Sequence, residues 1–121
     1  MDQLRWAIQA LALPASDQVR LFPSFVCVAD ELTLDFSHWF EVVSGCGGLS
    51  AEQRTALHYL DERIGAFSGA AHRDVWTVEA LHAHPAWMQF RQCASGALVA
   101  FGWPQEVPPT NRAIYLGPKN T

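Results

Sequence analysis

Apolar residues along this chain recur at spacings of three and four, and the clearest run lies between Ser24 and Val43. Phe25, Val28, Ala29, Leu32, Phe36, Trp39, Phe40 and Val43 fall within an arc of about 120° when each residue turns the chain by about 100°. That is the stripe of an amphipathic helix, with Ser24 placed to cap it and Gly45, Gly47 and Gly48 to end it. A strand through Leu32, Leu34 and Phe36 would explain far fewer positions.

The same signals recur elsewhere. A first helix is predicted from Asp2 to about Leu13, with Leu4, Ile8 and Leu11 inward and Pro14 as its stop. A connector carrying Asp17 and Pro23 leads to the Ser24 helix. Ser50 and Gln53 form a capping box for a helix over Ala51–Phe67, whose inward positions are Leu57, Leu60, Ile64 and Phe67. Thr77 caps a short helix through about Ala83. Pro85 suits the first turn of a last helix to about Phe101, burying Trp87, Phe90, Ala94, Leu98 and Phe101 before Gly102 and Pro104. From about Trp103 the prolines make an extended tail, in which Arg112–Leu116 forms a short strand or lies along the bundle. The expected fold is all-α: one domain over residues 1–121, a small bundle of four to five helices, orthogonal or up-down, with an extended C-terminal tail.

Composition narrows what such a bundle does. With 121 residues, 50% of them apolar and only 17% charged, the chain has material for one core and argues against disorder. Five Trp and seven Phe add large burial areas, some of them suited to a contact surface. The net charge is −4, with one lysine (Lys119) and scattered arginines. Nucleic-acid binding needs clustered cations to displace counterions, so no nucleic-acid partner is expected. The longest uncharged stretch, between Arg91 and Glu106, is broken by Gly96, Gly102 and Pro104, so no membrane partner is expected either. The N-terminus makes a poor signal peptide, and Cys27, Cys46 and Cys93 lie too far apart for a CxxC pair. Free thiols of this kind fit a reducing, cytoplasmic location.

Candidate chemistry is sparse. Glu31, Asp35 and His38 follow Cys27 along one helix, and His58 and Asp61 lie on the next. Carboxylate-bridged bundles repeat a Glu-x-x-His element on paired helices; here Asp35-x-x-His38 stands alone and the second pair runs in reverse order. His82 and His84 diverge on a helix, and His84 better serves as a cap for the helix at Pro85. The Gly45–Gly48 loop follows a helix rather than a strand and lacks the Lys-Ser/Thr of a phosphate cradle. No nucleophile has a recognisable base and orienting group beside it. The reading is therefore not an enzyme, with no catalytic residue, metal ligand or cofactor assigned.

Charge patterning is more specific. No Lys or Arg occurs between Arg20 and Arg54, while Asp30, Glu31, Asp35, Glu41 and Glu52 all fall there. Asp30, Glu31, Asp35, His38 and Glu41 share an arc of about 140° opposite the apolar stripe, and Leu34 sits near its middle beside Cys27 and Val42. Solvated helix faces favour acid–base pairs one turn apart, and this face has none. An apolar anchor in an acidic rim suits a basic protein partner, so Asp30, Glu31, Leu34, Asp35, His38 and Glu41 are the predicted partner-binding residues. Two alternatives remain at this level: the tail covers Leu34, or arginines from other helices neutralise the acids. Trp76, His82 and Trp103 mark a second possible surface.

In size, acidity and lack of a catalytic signature, the chain resembles small acidic bacterial immunity proteins and antitoxins. That resemblance implies inhibition by occlusion, an acidic surface filling the cationic cleft of a toxin domain such as a nuclease. The other readings are a small helical enzyme or metal-binding bundle built on His38, His58 and nearby carboxylates, and an accessory subunit docking through exposed aromatics.

Overall fold

The computed structural model describes residues 1–23 and 27–109. Among these residues all regular structure is helical: α1 (Asp2–Ala12), α2 (Ala15–Arg20), α3 (Val28–Ser44), α4 (Ala51–Gly65), a 3-10 segment (Ala70–Val75), α5 (Val78–Ala83) and α6 (Pro85–Phe101). The all-α bundle is as expected from the sequence, with α2 and the 3-10 segment added to the four to five anticipated helices. The predicted Ser24 cap and the Arg112–Leu116 segment lie outside the described residues. Cys27 occupies the N-cap of α3 and makes no side-chain cap bond there.

The caps at other ends follow the sequence closely. Ser50 accepts from the Gln53 N–H at 3.0 Å while the Gln53 side chain accepts from the Ser50 N–H at 3.0 Å, closing the capping box of α4. Ser50→Ala should therefore destabilise the protein by about 1 kcal/mol, read as a lower urea midpoint at unchanged slope. The His84 Nδ1 accepts the Ala86 N–H at 3.0 Å, so His84 does cap α6, and its Nε2 faces the Asp74 carboxylate at 3.4 Å. Gly102 ends α6 with φ of 70°, a left-handed conformation that glycine adopts without penalty.

α6 lies against both α1 and α4, and α3 leans on the other side of α1. Because α1 packs against both α3 and α6, seven of its eleven residues are buried, including Leu4, Ala7, Ile8, Ala10 and Leu11. Phe36 from α3, Leu57 and Leu60 from α4, and Trp87 and Phe90 from α6 are among the fully buried side chains that join it in the core.

Two buried glutamines tie the ends of elements together. Gln18, fully buried in α2, donates to the Ala10 and Leu11 carbonyls at 3.1 Å each. Those carbonyls belong to the last turn of α1, where the usual helical donors run out and Ala10 keeps only the Leu13 N–H of the C-cap at 3.3 Å. Gln9 donates to the Pro104 carbonyl at 2.9 Å, and Gln105 reaches back to the Ala12 carbonyl at 3.4 Å. The start of the extended tail thus lies along α1. Among the described residues no helix is long and apolar enough to cross a membrane.

Candidate functional site

Exposure along α3 sorts the six predicted partner-binding residues into three groups. Asp30, Leu34, His38 and Glu41 are exposed and follow one another at spacings of four, four and three, which makes them a single ridge. Leu34 is 61% exposed, so the described part of the tail does not cover it. Glu31 is half-buried on the flank of the ridge.

Asp35 does not belong to this surface. It is only 4% exposed, on the inward side of α3, so a partner resting on the ridge would not meet it. On the helical wheel Asp35 sits about 20° from Val28, the edge of the apolar stripe, and about 100° from Leu34. Contacts of α3 with α1, α4 and α5 widen the buried arc beyond the apolar residues, taking in Asp35 on one side and Thr33 on the other. The predicted acidic arc was too wide by this residue.

Among the described residues no cation neutralises the acids that remain outside. Ion pairs among the described residues join Arg5 to Asp2, Arg20 to Asp17 and His84 to Asp74, and none reaches Asp30, Glu31 or Glu41. Among ring contacts of the described residues, His38 meets its neighbour Trp39 edge-on at 4.6 Å.

Beside the ridge lies a cleft of about 330 Å³. Asp30, Thr33, Leu34 and Ser37 form its α3 wall, with Ile64 of α4 and the Ser68–Gly69 turn facing them. Trp76 completes the lining. One ring stack holds Trp76 on Phe90, with centroids 6.2 Å apart and planes at 21°. Its indole N–H donates to the Phe67 carbonyl at 2.9 Å. The Thr33 hydroxyl bonds the Ala29 and Asp30 carbonyls of its own helix. With those groups engaged, the charged group at the cleft is the Asp30 carboxylate.

Sequence reasoning found Leu34 and Asp30, and separately Trp76, but not that they share one cleft. That juxtaposition joins distant segments of chain, and no local pattern encodes it. His82, grouped with Trp76 in the sequence, is exposed and pairs with the Val78 carbonyl of its own helix at 3.1 Å. Trp103 stacks on Phe101 at 4.2 Å instead.

The alternative chemistry gains no geometry. Among the described residues no three of His, Cys, Asp and Glu converge as a metal site. Asp35 is buried while His38 is exposed, and His58 packs edge-on to Phe40 at 5.2 Å. A groove of about 520 Å³ lies between α4 and α6 and contains Cys93, Arg63 and Tyr59. Burial pushes the Cys93 thiol up, against a smaller opposing effect of Arg63, whereas a nucleophile at neutral pH needs it lowered. Arg63 itself is hydrogen-bonded to Gln89 at 2.6 Å.

Compared with protein-family models, with curated proteins and with solved structures, the chain finds no match.

Proposed function

We propose that this protein is a cytoplasmic binding domain whose α3 ridge docks on a basic protein surface. The observation that carries the reading is Leu34, widely exposed between Asp30 and His38 on a ridge whose acids have no cationic partner among the described residues. An exposed leucine gains nothing from water, and uncompensated carboxylates around it favour a cationic counter-surface. Val42, 43% exposed near the end of the same helix, extends the apolar contact. Protein interfaces have this anatomy, an apolar centre within a polar rim. The finer reading is an immunity protein or antitoxin that blocks a cationic active site by filling it.

Binding and folding are separable here, which supplies the test. The wild-type chain is immobilised and challenged with lysate of its own host, and the retained protein is identified and its net charge read from its sequence. Leu34→Arg should weaken that complex by at least about 2 kcal/mol, since it replaces an apolar anchor with a like charge for the partner. Asp30→Lys with Glu41→Lys should slow association and flatten its salt dependence. Unfolding free energies of the free variants should stay within about 0.5 kcal/mol of wild type, as for other surface changes. A retained protein of acidic character, or one bound equally by all variants, would sink the proposal.

A further inference from the structure

We infer that the cleft between α3 and Trp76 receives an arginine side chain of the basic partner, an inference that rests on the ridge reading above. Four features of the cleft select that side chain. Its walls are apolar where Leu34, Ile64 and Trp76 contribute, which suits the methylene stem of a long side chain. Its single charged group is the Asp30 carboxylate, which no described cation neutralises. A neutral apolar group entering there would strip water from that carboxylate and offer nothing in return, and an acidic group would be repelled.

Trp76 decides between the two cationic side chains. A planar guanidinium stacks on an indole ring and keeps its in-plane N–H groups free for a carboxylate. Lysine presents a strongly hydrated point charge, which is harder to lodge against Ile64 and Trp76. The Ser37 and Ser68 hydroxyls at the cleft supply further acceptors for the remaining guanidinium donors. The ring is already fixed by its bond to Phe67 and its stack on Phe90, so docking would demand little reorganisation.

The full chain, labelled with nitrogen-15, is titrated with n-butylguanidinium chloride at constant ionic strength and followed by amide correlation spectra. Saturable shifts are expected at the Trp76 indole N–H and the Asp30 and Leu34 amides, half-complete at about 10 mM. n-Butylurea, the neutral near-isostere, should leave them unmoved, and Asp30→Asn should weaken the response about fivefold or more. Equal shifts with the urea, indifference to Asp30, or shifts confined to the α4–α6 groove would each overturn the inference. A second arm uses Ser68→Trp, which fills the cleft from an exposed position and leaves Leu34, His38 and Glu41 in place. That variant should lose the guanidinium response and bind the basic partner about tenfold more weakly. If it binds the partner normally while Leu34→Arg does not, the arginine assignment fails and the ridge reading stands. If both bind normally, both fail.

Discussion

Trp87→Ala should lower the free energy of unfolding by about 4 kcal/mol, within the range for emptying an aromatic site in a packed core. Trp87 is fully buried and meets Trp76 and Phe90 edge-on, with centroids 5.9 and 5.0 Å away. Its indole N–H donates to the Val75 carbonyl at 2.8 Å, holding the end of the 3-10 segment to α6. Alanine therefore opens a cavity, removes two ring contacts and leaves a buried carbonyl without its donor. Trp87→Phe keeps most of the packing and loses only that bond, which should cost about 1–2 kcal/mol. Urea unfolding measures both. Small domains hold only about 5–15 kcal/mol in total, so the alanine variant should stand close to the unfolding threshold at 25 °C. A loss under about 1 kcal/mol would show that this site is not packed as described.

Arg91→Met should cost about 3 kcal/mol, through hydrogen bonds rather than packing. The Arg91 side chain donates to the Leu13 carbonyl and the Gln18 side-chain carbonyl at 2.9 Å each, and also to the Leu81 carbonyl. It thereby joins the end of α1, the middle of α2 and the end of α5 to α6. Burial draws its pKa below the usual arginine value, although a guanidinium stays charged throughout the neutral range. Methionine keeps much of the stem but leaves three buried acceptors without this donor. Arg91→Lys should recover only part of the loss, because an ammonium cannot span three acceptors held by a planar fork. Equal stability of the lysine variant and the wild type would refute that division of labour.

The limits of α6 were readable because each end carries a residue with a backbone preference, Pro85 at its start and Gly102 after it. The start of α4 was readable for a similar reason, in the reciprocal Ser50–Gln53 box. The short α2 escaped because six residues give less than two turns of periodicity, and its one buried residue, Gln18, is polar. Asp35 was misplaced on the outer face because a wheel ranks residues by chemistry, while burial depends on how many neighbours crowd the helix. Leu34 and Asp30 could be found from the wheel, since both lie well away from the stripe. Their approach to Trp76 could not, because it depends on where the chain turns after α4.

The bonds from Gln9 to Pro104 and from Gln105 to Ala12 have a bearing on how the protein is made. α1 is synthesised before the helix that covers one of its apolar flanks and before the strap laid along it. Loop closure between such distant segments is an entropic hurdle that local helix formation does not face. Translation therefore runs with the apolar α1 waiting for its cover, and assembly of the native core is deferred until the chain has been synthesised past Gln105. That interval is when the nascent protein is most open to capture by chaperones, and to association with other unfinished chains.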